Sequence, residues 1–171
     1  MSDDRLPAGR ERSTGADAAE VAIAPAGEAD LPALLALMRA YCDFYEASPS
    51  DERLLALARA LIADPACEGV QLIARERDGE AVGFATLFWS WSTARAARLG
   101  TMNDLFVTPR ARGRGVGERL IAACLQACAA QGAEEMQWQT APGNERAQAL
   151  YDRVGGRRED WLCYSLAVPR R

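Results

Sequence analysis

At 171 residues the chain suits one domain with room for a sizeable core, and 49% of its residues are hydrophobic. Its 20 basic and 24 acidic residues give a net charge of −4, which argues against disorder and against a broad basic face for nucleic acid. There is no His, and every basic residue is Arg, so His-based triads, His metal sites and Schiff-base chemistry drop out and proton transfer falls to carboxylates, Tyr, Cys or water.

Residues 1–20 are polar, small and of mixed charge, with no apolar segment of the kind a signal peptide needs. They read as a flexible leader ahead of a single domain over 21–171. No apolar run approaches the roughly 20 residues that span a bilayer. Val21 to Pro25 forms a short first strand. Asp30 caps a helix whose Leu34, Leu37, Met38, Tyr41 and Tyr45 follow the helical period, and Ser48-Pro49-Ser50 break it. Ser50 or Asp51 opens a second helix carrying Leu54, Leu57, Ala58, Leu61 and Ile62. Val70 to Arg75 and Ala81 to Trp91 follow as strands joined through the turn signal Arg77-Asp78-Gly79, and Leu99 to Val107 is the next strand.

After that strand the chain reads Thr108-Pro109-Arg110-Ala111-Arg112-Gly113-Arg114-Gly115-Val116-Gly117, a tight basic loop that opens an amphipathic helix ending at Gly132. Glycines there let the backbone approach a ligand, and the free N–H groups of the helix N-terminus favour an anion. Arg110, Arg112 and Arg114 add planar donors suited to phosphate oxygens, so the loop reads as a pyrophosphate cradle. It is no Walker loop, because Glu118-Arg119 follow the last glycine, and its singly alternating glycines do not match the dinucleotide fingerprint. Glu135 to Thr140 is a strand. Pro142-Gly143 break the chain, Asn144 caps a further helix, and Gly155 ends it. Asn144, Ala147 and Tyr151 share one face of that helix, with a small residue between two polar ones, as suits a thin ligand lying alongside. Arg158 to Val168 closes the chain as a strand. The five cysteines are odd in number and lack metal spacing. Cys124 and Cys128 share an apolar helix face as reduced core residues, so no metal is expected and a cytoplasmic location is the default. The element order is that of an α/β single domain with a mixed, mostly antiparallel sheet flanked by helices.

The pattern Arg112-x-x-Gly115-x-Gly117 after Leu105-Phe106-Val107, together with Asn144-x-x-Ala147-x-x-x-Tyr151, resembles the GNAT N-acetyltransferase family. Val82-Gly83-Phe84-Ala85, Met102-Asn103-Asp104-Leu105-Phe106-Val107 and Trp161 are similar to its diamine acetyltransferase branch and histone-acetyltransferase-like microbial relatives. The resemblance implies acetyl-CoA as co-substrate, held by Arg112, Gly113, Arg114, Gly115, Val116, Gly117 and Glu118 around the pyrophosphate. It implies Leu105, Phe106 and Val107 along the pantetheine, with Asn144, Ala147 and Tyr151 on its far side. Tyr151 is then the acid that protonates the leaving thiolate. Where diamine acetyltransferases carry a glutamate this chain has Asn103, which orients a water but takes no proton. Asp104 points to the opposite face of a regular strand and reaches the site only through a bulge. Asp43 and Glu46 are further candidates for the base, and Tyr41, Tyr45, Trp89 and Trp91 for the acceptor side. The expected activity is acetyl transfer to a primary amine of a polyamine-like or amino-acid-like small molecule. A protein, peptide or aminoglycoside acceptor and a non-catalytic acyl-CoA sensor stand as alternatives. A homodimer is implied by the family alone.

Overall fold

The computed structural model describes residues 21–169; the expected leader over 1–20 lies outside them. Five strands form one sheet in the order β1 (Ala22–Pro25), β2 (Gly69–Arg75), β3 (Ala81–Ser92), β4 (Ala97–Val107), β5 (Ala133–Gln137). The first four are antiparallel neighbours, and β5 lies parallel to β4. The expected mixed, mostly antiparallel α/β domain is therefore what forms.

Helices cover both faces. On one, α1 (Leu31–Phe44) and α2 (Asp51–Ala63) bring Leu34, Leu37, Met38 and Ala58 against Ile73, Phe84 and Phe106. On the other, α3 (Val116–Ala130) sets Val116, Leu120, Ile121, Cys124 and Cys128 against Leu72, Ala74, Ala85, Leu87 and Met102. The alternation Leu72-Ile73-Ala74 serves both faces at once, as the two-residue period of a strand requires. A Cβ at Gly100 would land on Cys128 Sγ, so α3 packs this closely on β4 only because position 100 has no side chain. Burial pushes the Cys124 thiol up to about 12, its neighbour Cys128 adding to the effect, in keeping with the core role read from the helix face.

Two expectations about helix starts are refined. Ser50 caps α2, accepting from Arg53 N–H at 3.4 Å. Asp30, at the N-cap of α1, turns its carboxylate instead to Gly27 N–H (2.9 Å) and Arg75 Nη2 (2.6 Å), tying the helix entry to β2. The backbone bond and the guanidinium hold its carboxyl below the usual range.

The expected closing strand is absent: residues 157–169 form neither helix nor strand. Leu162, Tyr164, Leu166 and Val168 are 80–94% exposed. Their alternation is that of a half-buried strand, but a strand exists only when its N–H and C=O groups pair, and no described segment pairs with them.

Candidate active site

The sheet opens where β4 and β5 part. Their pairing runs only from Arg98↔Ala133 to Thr101↔Gln137, while β4 continues six residues further beside β3. Thr108 N–H bonds Val82 C=O at 2.9 Å, so strand alternation turns the N–H and C=O groups of Leu105 and Val107 the other way, into the gap that β5 has left. An exposed strand edge here is ready to pair with an extended ligand.

At the end of β4 the chain makes a short 3-10 turn (Pro109–Ala111) and enters α3 through Gly113 and Gly115, at φ +78° and +77°. That left-handed backbone suits glycine and aims the helix N-terminus back over the strand end. The first helical bond runs from Arg119 N–H to Gly115 C=O, leaving the N–H groups of Val116, Gly117 and Glu118 without helical acceptors. These donors and the helix dipole form an anion seat.

The arginines behave differently from the sequence reading. Arg114 pairs with Glu76 at 2.6 Å, and Arg110 with Glu76 at 3.2 Å and Glu80 at 2.5 Å, so their guanidiniums brace the loop against the β2–β3 hairpin instead of facing the seat. Arg112 donates from Nε to Val107 C=O at 2.9 Å and lies 5.9 Å over the Phe106 ring. Burial lowers its pKa, and Arg146 nearby lowers it further.

α4 (Glu145–Arg153) closes the far wall. Asn144 caps it, its Oδ1 accepting from Ala147 N–H at 3.2 Å, so that side chain is engaged in the cap. Leu150 approaches Gly117 of α3 so tightly that a Cβ there would sit 3.0 Å from Leu150 Cδ2. Tyr151 is half-buried and tilted on Trp138 at 5.3 Å between ring centroids. Burial raises its pKa, and Tyr45 across the gap raises it further.

A cavity of about 680 Å³ joins these parts. Its walls include Leu105, Phe106, Val107, Arg112, Gly113, Gly115, Val116, Gly117 and Glu118 from the strand, loop and α3. Asn144, Ala147 and Tyr151 close it from α4, and Asn103, Tyr41 and Tyr45 complete the opposite end. Most of the residues expected to hold the donor thus meet around one space, while Arg110, Arg114 and Asp104 lie outside its lining. Arg114 is turned to Glu76, and Asp104 sits just behind the wall.

Asp104 is placed by a bulge. The register steps from Thr86↔Asp104 to Leu87↔Met102, so Asn103 is an extra residue in β4. The bulge lets Asp104 join the α1 side of the sheet with Phe106, where it interacts with the Tyr41 hydroxyl. Burial pushes the Tyr41 pKa well above the ordinary phenol range, and the Asp104 carboxylate pushes it further. Asn103 Nδ2 also donates to Asp104 Oδ1 at 3.0 Å. Trp89 and Trp91 are not part of the wall: Trp89 donates to Pro65 C=O at 2.8 Å and Trp91 is 72% exposed. Asp43 and Glu46 are exposed and lie outside the lining as well.

Sequence reasoning missed Arg146, Phe44 and Gln139 in the wall, and the pair behind it. Gln71 Nε2 donates to Thr86 Oγ1 at 3.1 Å in the core beside Asp104, leaving Gln71 Oε1 without a partner among the described residues. Two polar residues on the inward face of otherwise apolar strands were the available signal.

Comparison with known proteins agrees with this geometry. Residues 34–156 match the model of the Acetyltransferase (GNAT) family. The chain is 34% identical over 150 residues to the "Uncharacterized N-acetyltransferase YhfO" of Bacillus subtilis (strain 168), covering 87% of this chain and 99% of that protein. It is 38% identical over 76 residues to the D-amino-acid N-acetyltransferase HPA3 of Saccharomyces cerevisiae (strain ATCC 204508 / S288c), covering 44% of this chain and 47% of that one. Its fold superposes on AAC(6')-Iy in complex with the bisubstrate analogue CoA-S-monomethyl-acetylneamine with a TM-score of 0.75 at 23% identity, covering 88% and 99% of the two chains. The chain belongs to the GNAT family and is an acyl-CoA-dependent N-acetyltransferase.

Proposed function

We propose that the enzyme moves the acetyl group of acetyl-CoA to the primary amine of a small molecule by direct attack within a ternary complex. The observation that carries this reading is the convergence on one cavity of an anion seat, an open strand edge and a half-buried phenol. The N–H groups of Val116, Gly117 and Glu118 take the pyrophosphate, as a fixed helix N-terminus can without rearrangement. The turned-out amides of Leu105 and Val107 pair with the pantetheine, and Val107 N–H polarises the thioester carbonyl. Tyr151 gives its proton to the departing sulfur. A phenol held above its ordinary range stays protonated at neutral pH and matches a thiolate of pKa about 8.5. Asp104 stands behind the acceptor end and serves as the base through a water, with Asn103 steadying the carboxylate and that water.

Thiol release from acetyl-CoA that requires an added amine tests the reading. Release at the same rate without any amine, or binding of acetyl-CoA with no release, would replace it with a thioesterase or a sensor. We propose further that the enzyme is a cytoplasmic homodimer. The cysteines among the described residues are unpaired thiols, and the exposed alternating residues Leu162, Tyr164, Leu166 and Val168, together with an outer edge of β5 that no described strand covers, support strand pairing between copies. Sedimentation of the full chain and of a chain ending at residue 157 tests it: the second should lose the dimer.

A further inference from the structure

The two ends of the cavity differ in chemistry. Toward α3 and α4 it carries Arg112, Arg146 and Arg153, and its one lining carboxylate among the described residues, Glu118, accepts from Arg153 Nε at 3.0 Å. Three guanidiniums against one carboxylate leave the lining formally at +2, suited to the phosphates of the donor and hostile to a second ammonium.

The other end is a wall of rings. The last turn of α1 and its C-cap supply Tyr41, Phe44 and Tyr45. Tyr41 and Tyr45 lie 4.9 Å apart between ring centroids at 58°, Phe44 and Tyr45 5.0 Å apart at 87°, and Tyr41 meets Phe106 edge-on at 6.3 Å. Phe44 and Tyr45 remain 58% and 49% exposed, so their faces are offered to the cavity and not spent in the core. One anion stands behind this wall, Asp104 beneath Tyr41, with Asn103 bonded to it. Asp43 and Glu46 on the same stretch are exposed and outside the lining.

Resting on the acetyltransferase reading above, we infer that the acceptor is a monoamine with an aromatic body, its single ammonium over the Tyr41 hydroxyl and Asn103 that Asp104 backs, and its ring against Phe44 and Tyr45. One carboxylate places one ammonium, and the ring wall holds an apolar body by stacking and by excluding water. A polyamine or aminoglycoside brings further ammoniums and finds aromatic faces on one side and a net positive lining on the other. In the transfer, the ammonium first yields one proton to water, which passes it to Asp104 or to solvent. The amine nitrogen then bonds the acetyl carbon, the C–S bond breaks, and sulfur leaves as a thiol with the Tyr151 proton. The second amine proton returns to the phenol through solvent.

The test is kcat/KM by thiol release with the full-length enzyme for phenethylamine and tyramine against spermidine, kanamycin and ethanolamine. The aromatic monoamines should lead by about tenfold or more, the discrimination an apolar pocket supplies. Phe44→Ala and Tyr45→Ala should each raise the KM for phenethylamine by about tenfold while the KM for acetyl-CoA stays in place. Both side chains are largely exposed, so truncation spares the fold. Spermidine, kanamycin or ethanolamine matching the aromatic amines would overturn the inference and leave the small-molecule acetyltransferase intact, as would an unmoved phenethylamine KM in both variants. No release with any of the five amines, with acetyl-CoA binding still measurable by calorimetry, would overturn both.

Discussion

Tyr151→Phe isolates one hydroxyl. The ring stays packed on Trp138, and the α4 backbone, capped at Asn144, is untouched, so the fold and the donor seat should persist. On the proposed mechanism, what disappears is the acid that meets the leaving sulfur. A positioned acid contributes about 10²–10⁴-fold. A thiolate of pKa about 8.5 departs fairly well unaided, which puts the expected loss near the lower end, about 10²-fold in kcat or about 3 kcal/mol. The pH profile adds a second readout. Burial and Tyr45 raise the Tyr151 pKa above that of a free phenol, so the protonated donor persists below the raised value and is lost as pH rises through it. The wild-type basic limb in kcat should therefore lie above pH ~10 and be absent from the variant. Stopped-time thiol assays from pH 6 to 11 at saturating acetyl-CoA read both quantities. A variant within about threefold of wild type, with the same basic limb, would remove Tyr151 from proton transfer.

Gly115→Ala forces an L residue to φ +77° with no clash to relieve, the nearest atom being Glu118 Oε2 at 3.9 Å. The strain of about 1–2 kcal/mol should show as a lowered Tm and as a higher KM for acetyl-CoA, because relaxation swings the α3 N–H groups off the pyrophosphate. Thr86→Val leaves the Gln71 amide with only Met38 Sδ at 3.5 Å, which should cost about 1–3 kcal/mol in urea unfolding. Adding Gln71→Met should recover most of that, since both polar partners are then gone. Cys124, raised to about 12 by burial, should make the fold sensitive to alkali. Stability is unaffected by this thiol below its unfolded value near pH 9 and falls by about 1.4 kcal/mol per pH unit from there toward pH 12, as only the unfolded chain ionises. Cys124→Ala should lower the urea midpoint at neutral pH, through its cavity, yet flatten that alkaline slope.

The features readable in the sequence were those set by neighbours along the chain. Asn144 capping α4, Ser50 capping α2 and glycine turning the strand into α3 each depend on a few consecutive residues. What escaped depended on partners far away in sequence. Arg110 and Arg114 have the look of phosphate ligands until folding brings Glu76 beside them from more than thirty residues upstream. Asp104 belongs to the wrong face of a regular strand, and only the register against β3 reveals that Asn103 is the inserted residue. The stretch Arg158 to Val168 has a strand's alternation, yet alternation says which face is apolar and nothing about what will pair with the edge. Phe44 broke the helical period used to find the buried face of α1, and for that reason it sits where a ligand can reach it.

The Arg–Glu contacts also explain how an acidic protein makes a seat for a polyanion. Glu76 is largely buried at 14% side-chain exposure, and it ties Arg110 and Arg114 to the hairpin between β2 and β3. Those two cations thereby fix the height of the loop over the sheet. With the loop held, the α3 N–H groups are oriented before the ligand arrives, and oriented dipoles need no reorganisation on binding. Flexible arginines aimed at solvent would have to be ordered each time, at the cost of side-chain entropy. Of the charges that line the cavity, Arg112, with Arg146 near it, stands where the strand edge ends and the anion seat begins. On the proposed reading the fold separates two tasks that the sequence motif presents as one: arginine rigidifies the loop, and the backbone amides are left to take the phosphate.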